Sequence, residues 1–163
     1  MEADFLGGGY YREYIDDVPQ EPIKNTLLRA GASYFGRTLF RGEAVLPATY
    51  YLGLTNVAYT WTSSLADLAA GEPVGNGYAR QPLVKNTVDW TVQEINGVIQ
   101  VLSKIVNFTA SANWDKQWNR MFLCDQAAGT AGFAFSVSGP APALRTVTTG
   151  NGPAIDYQYF FRG

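Results

Sequence analysis

The chain has 163 residues, 47% of them hydrophobic and only 16% charged, with a formal net charge of −2 and no histidine. This length suits one domain with a substantial core, and the near-neutral balance offers no electrostatic footprint for nucleic acid. The missing histidine removes Ser-His-Asp and Cys-His catalytic arrangements, and with a single cysteine it also excludes a Cys/His zinc cage and an internal disulfide.

Residues 1–22 read as an extended N-terminal arm. They hold Glu2, Asp4, Glu13, Asp16, Asp17 and Glu21 against Arg12 alone, so the remaining residues are mildly basic. Gly7-Gly8-Gly9 is flexible, and Pro19 and Pro22 break any helix. Yet Phe5, Leu6, Tyr10, Tyr11, Tyr14 and Ile15 give the stretch more large apolar side chains than a disordered tail carries. These six are the candidate interface residues of an arm that becomes ordered against a partner; the alternative is an arm folded back on its own domain. Asp16-Asp17 could bind a hard cation, but adjacent carboxylates in an arm are more often solvated.

The second unit, residues 23–163, is a single β-rich domain with a leading helix. Pro22 suits a helix start, and Ile23, Leu27, Ala30, Tyr34 and the Phe35/Leu39 pair form an amphipathic stripe that predicts a helix over Ile23–Phe40, stopped at Gly42. Thr49–Thr55 reads as a strand with Tyr50, Leu52 and Leu54 on one face and Tyr51, Gly53 and Thr55 on the other. Ser64-Leu65-Ala66-Asp67 has the spacing of a capping box for a short helix ending at Gly71. After Tyr78 the pattern is almost wholly β. Asn96-Gly97 marks a hairpin between Trp90–Ile95 and Val98–Leu102, and further strands are expected at Ile105–Thr109, Trp118–Asp125, Gly132–Ser138, Ala143–Thr149 and Ala154–Phe161. Many short strands at near-regular spacing predict an antiparallel β-sandwich or jelly-roll-like domain. Cys124 falls in an apolar run, which suits a buried, inert thiol.

Between the capping box and the hairpin lies Glu72-Pro73-Val74-Gly75-Asn76-Gly77-Tyr78-Ala79-Arg80-Gln81. Gly75, Asn76 and Gly77 tolerate positive φ, and Arg80 beside such a turn is suited to bonding loop carbonyls or Glu72. Gly75, Gly77, Tyr78, Arg80 and Gln81 are therefore read as a structural motif. Tyr50-Tyr51-Leu52-Gly53-Leu54-Thr55 followed by Glu72 and Gly75-Asn76-Gly77-Tyr78-Ala79-Arg80-Gln81 resembles a family of small tailed-bacteriophage virion proteins. Asn25-Thr26-Leu27-Leu28, Phe40-Arg41-Gly42, Trp114, Met121–Asp125 and Gly129 extend the likeness from about Asn25 to the C-terminus. Here Asn76 stands where that motif usually has glycine, and Pro82 follows Gln81.

The resemblance implies a non-enzymatic capsid decoration (cement) protein, or else a tail, collar or fibre-adaptor protein. It implies the major capsid protein or other virion proteins as partners, and a dimer or trimer on the particle. No catalytic residue, cofactor or metal is expected. No apolar run reaches the ~18 residues of a membrane span, and Met1-Glu2-Ala3-Asp4 lacks the basic region of a secretory signal. The expected location is the virion, after synthesis in a host cytoplasm. A reading of another class takes Trp61, Trp90, Trp114 and Trp118 as a sugar-stacking platform, making the domain a carbohydrate-binding β-sandwich. Glu72, Asp89, Glu94, Asp115 and Asp125 are the carboxylates from which a glycosidase pair would have to be drawn.

Overall fold

The computed structural model describes residues 8–161. The fold is mainly β, as the spacing of short apolar runs predicts. Its strands are β1 (Gly8–Ile15), β2 (Val18–Pro19), β3 (Ile23–Leu27), β4 (Thr49–Thr55), β5 (Gln81–Val84), β6 (Trp90–Ile95), β7 (Val98–Ser103), β8 (Val106–Asn107), β9 (Arg120–Cys124), β10 (Ala134–Ser138) and β11 (Ala154–Phe161). Two helices accompany them, α1 (Arg29–Gly36), which runs on into a π-helical turn at Arg37–Arg41, and α2 (Leu65–Ala69).

All the pairings are antiparallel, and the main sheet runs β5-β4-β9-β10-β3-β1-β11-β7-β6, with β2 added to β1 and β8 to β11. Its two outermost strands, β5 and β6, are consecutive in the chain, so the sheet curls until it nearly closes on itself. β3 is where it turns. Ile23 and Lys24 pair with β1, whereas Asn25, Thr26 and Leu27 pair with β10. A strand that serves both halves in this way makes a corner between them.

The alternation read in β4 sorts the interior into two clusters. Leu52 and Leu54 join Tyr11, Leu83, Met121, Leu123, Phe135, Ile155 and Tyr157 in the space enclosed by the curled sheet. On the opposite face, Phe122, Cys124 and Val137 pack with Leu28 and with Leu65 and Leu68 of α2. The capping box holds as expected: Ser64 Oγ accepts from Asp67 N at 3.2 Å and the Asp67 carboxylate accepts from Ser64 N at 2.8 Å. Asn96 and Gly97 both have positive φ, 52° and 76°, and Ile95 pairs with Val98 across them, which is the predicted two-residue hairpin.

Three expectations need correction. The leading helix begins at Arg29, not Ile23, because residues 23–27 find ladder partners on both β1 and β10, and two-sided pairing overrides a helical period. Leu28 N then bonds Phe135 O at 2.8 Å, and a side chain at Gly31 would meet the Phe135 backbone at 2.4 Å, so glycine lets α1 lie directly on β10. Residues 143–149 form no strand beyond a single bridge between Arg145 and Trp118. Pro140 and Pro142 precede them and lack the N–H groups that a ladder needs. Finally, residues 8–15 are not an arm awaiting a partner. β1 is an interior strand held by β11 from Gly8 to Tyr14 and by β3 at Tyr10 and Tyr11.

The candidate interface residues divide accordingly. Phe5 and Leu6 lie outside the described residues. Tyr11 is fully buried, shares a hydrogen bond of 2.8 Å with Ser136 Oγ and meets the Tyr157 ring edge-on. Tyr10 packs edge-on against Phe160, and the half-buried Tyr14 donates to Asp156 at 2.8 Å. Of the four described, Ile15 is the most exposed, at 41%. A large side chain with its hydroxyl satisfied in the core is a folding element rather than a surface for a partner. Deleting residues 2–21 therefore removes a central strand, and the truncated chain is expected to lose its cooperative melt. Tyr11→Ala should cost about 3–5 kcal/mol. Thermal unfolding followed by circular dichroism checks both, and a truncated chain that melts like the full one would refute the assignment.

Candidate functional site

The motif that carries the resemblance is built on the end of α2. Ala69 O accepts from Glu72 N at 3.2 Å, so the helix closes with Glu72 turned inward. Gly75, Asn76 and Gly77 follow with φ of 71°, 51° and 82°, three successive left-handed residues. Gly77 has a second constraint, since a side chain there would come within 2.9 Å of Ser111 N. The turn is anchored from outside: Ser111 N donates to Asn76 O at 2.9 Å, Asn76 Nδ2 to Asn113 O at 2.5 Å, and Val74 N to Asp115 Oδ1 at 2.7 Å.

This turn delivers Tyr78 and Arg80 to one carboxylate. Tyr78 lies parallel to Phe108 with centroids 5.9 Å apart and edge-on to Trp114 at 5.2 Å. Its hydroxyl donates to Glu72 Oε1 at 2.6 Å and accepts from Leu54 N at 3.0 Å. Arg80 grips the same carboxylate with both prongs of its fork, Nε to Oε1 at 2.9 Å and Nη2 to Oε2 at 2.6 Å. Its remaining donors reach Gln126 O at 3.0 Å and Gly129 O at 2.9 Å, and its guanidinium carbon sits 5.4 Å from the centre of the Phe122 ring. The two side chains are 3% and 10% exposed for Arg80 and Glu72, so the pair is effectively out of water. Gln81 turns back on Ala79 O at 2.8 Å and starts β5 opposite Leu52.

Electrostatics follow from this packing. Burial works against the Arg80 charge, but the bonds to Glu72 outweigh it and hold the guanidinium pKa above its ordinary value. Burial, reinforced by the Glu72 charge, pushes the Tyr78 hydroxyl well above the usual tyrosine range. Burial also lifts the nearby Cys124 thiol to about 11. The Arg80 charge and the Tyr78 and Cys124 protons are thus held in place, and the Glu72 carboxylate accepts three side-chain hydrogen bonds. The arrangement can join α2, β4, β5, β9 and the loop at Gly129. It offers no free base or nucleophile.

The other candidate groups are dispersed. Asp89 accepts from Val84 N and pairs with Lys104 Nζ at 2.8 Å, and its carboxyl is held below the usual range chiefly by the Lys104 contact. Asp115 is engaged with Val74 N, and Asp125 accepts from Phe133 N at 2.9 Å. Glu94 lies exposed on β6. Among the described residues, no group of acidic, Cys or His side chains could hold a metal ion, and no helix is long and apolar enough to cross a membrane. Trp114 and Trp118 belong to the core and Trp90 packs against it, which leaves only Trp61 half exposed.

Sequence reasoning placed the turn and paired Arg80 with Glu72 or loop carbonyls. It missed Gln126 and Gly129 as acceptors and Phe122 as the ring beneath the guanidinium. Backbone acceptors carry no residue signature, and only the turn glycine at 129 marked that loop. No protein-family model matches the chain, and a search of curated proteins finds no match.

The buried hydroxyls and thiol give an alkaline stability limit. Burial raises Tyr11 and Tyr78 well above 10.0, and brings Tyr50 and Tyr157 to about 12. The unfolded chain releases these protons first, near 9.0 for the thiol and 10.0 for the tyrosines. Stability from these groups is therefore fully present below the unfolded values and falls as pH rises toward the folded ones. Urea unfolding should show a decline beginning near pH 9 and steepening above pH 10, with the buried tyrosines adding a step of tyrosinate absorbance only as the protein unfolds. Tyrosinate rising in full before unfolding would contradict the burial.

Proposed function

We propose that the chain is a non-enzymatic structural protein of a bacteriophage particle, and that it decorates the head shell by binding across capsid subunits. The observation that carries this reading is the state of the motif. The residues that resemble the virion family form a buried, saturated clamp, which is what a motif of architectural rather than chemical purpose would be.

The surface supports the same reading. Leu39, Phe40 and Val45 are 69%, 85% and 85% exposed on the segment after α1, and Val88 and Val92 are 82% and 67% exposed around β6. Apolar side chains left outside in this number are the material of protein–protein contact. In finer detail, we read the curled sheet as a jelly-roll-like sandwich, with β5-β4-β9-β10 facing β1-β11-β7-β6 across the larger core cluster and β3 at the corner. Each subunit would bury a modest area at several contacts, and on a symmetric shell such contacts reinforce one another through effective concentration. The partner in this account is the major capsid protein, and the location is the virion.

A tail, collar or fibre-adaptor role uses the same surfaces at fewer positions. Stoichiometry separates the two. Quantitative gel analysis of purified particles is expected to show many copies, commensurate with the shell subunits, and purified protein should rebind to shells stripped of it and raise their resistance to heat. A handful of copies per particle would assign the chain to the tail, and absence from particles would overturn the proposal.

A further inference from the structure

Beside α1 lies a cavity of about 430 Å³. Arg29 and Arg37 line it with Ser33 and Ser64, and Tyr34 and Phe133 supply an aromatic wall. Glu43 pairs with Arg37 at 3.3 Å and also with Arg41, whereas Arg29 has no carboxylate partner among the described residues. Arg29, Arg37 and Arg41 therefore stand against Glu43 and against Asp67, whose carboxylate bonds Ser64 at the cavity wall, so this end keeps a net positive charge. Val45, 85% exposed, adds an apolar lip, and its carbonyl accepts from the Tyr34 hydroxyl.

The opposite sign stands at the opposite end. β1 and β2 are joined by Asp16-Asp17 alone, with Ile15 paired to Val18. Both aspartates have positive φ, 49° and 62°, in a turn that favours Asn-Gly. Neither carboxylate has an ion-pair partner among the described residues. Ile15 and Val18, 41% and 59% exposed, flank them. The tip thus presents two uncompensated charges on apolar shoulders, in a conformation that aspartate adopts only at some cost.

The two features cannot meet within one molecule. β3 runs antiparallel to β1, so α1 leaves from the end of β1 remote from the tip. The five residues from Tyr11 to Ile15 and the five of β3 amount to roughly 30 Å of strand path.

We propose that the Asp16-Asp17 tip of one copy docks in the Arg29/Arg37 cavity of the next. Charge complementarity selects the occupant, and Ile15 and Val18 meet Val45 and the aromatic wall. Such a contact is heterologous, so it joins copies head to tail into a ring or a row. This goes beyond the particle role proposed above, and its test needs no shell, so the two can fail separately.

Sedimentation of the full chain at high concentration and low ionic strength is expected to show self-association that weakens as salt is added. Arg29→Glu/Arg37→Glu and Asp16→Lys/Asp17→Lys should each sediment as monomers, because each then carries like charges at both ends. An equimolar mixture of the two should associate, since each tip finds an opposite cavity. Asp16→Asn/Asp17→Gly removes the charge while supplying the residues that the turn prefers. It should melt no lower than the parent chain and self-associate about tenfold or more weakly. A monomeric parent chain at low salt overturns the proposal, as does a charge-reversed variant that self-associates like the parent, or a mixture that stays monomeric.

Discussion

A carboxylate taken out of water must be repaid in hydrogen bonds, and the arrangement of this protein around residue 72 follows from that requirement. Glu72 is 10% exposed at its side chain, and an isolated charge at such a depth would cost several kcal/mol. Tyr78 and both prongs of Arg80 supply what it lacks. Their approach needs a backbone that reverses within three residues, which only a run such as Gly75-Asn76-Gly77 permits. Arg80 brings its own demand for acceptors, and meets it at Gln126 and Gly129. One buried charge therefore ties the end of α2, the entry to β5 and the loop after β9 into a single unit.

The same logic separates architecture from contact surface. The clamp's charged groups are spent on one another and on backbone carbonyls, and of the exposed apolar side chains only Val74 lies in the motif, while the most exposed ones sit after α1 and around β6. The two outermost strands of the sheet differ in kind. β5 carries Pro82 and is followed by Lys85, both common guards against edge pairing, whereas β6 has neither and carries the exposed Val92 and Ile95.

Local signals were legible in the sequence wherever local chemistry decides. The period of two in Thr49–Thr55, the Asn96-Gly97 turn, the Ser64/Asp67 box and the span of β11 all appear where residue type alone placed them. Long-range pairing was not legible. Ile23–Leu27 carries a fair helical stripe, and only the presence of β1 and β10 on its flanks makes it a strand. Tyr10, Tyr11 and Tyr14 look like the sticky residues of a free arm until β11, more than 130 positions away in the chain, supplies their cross-strand neighbours. The site shows the same division: the turn and the Arg80–Glu72 pairing were readable, while the carbonyls of Gln126 and Gly129 were not.

The central claim is that Glu72 and Arg80 act as one buried structural unit. A double-mutant cycle with Glu72→Gln and Arg80→Met, measured by urea unfolding at neutral pH, tests it most directly. Each single change strands a buried partner and should cost about 3–5 kcal/mol. The double variant leaves no charge unpaired and should be more stable than the sum of the singles implies, with a coupling of about 2 kcal/mol or more. Additive effects, with coupling near zero, would contradict the account.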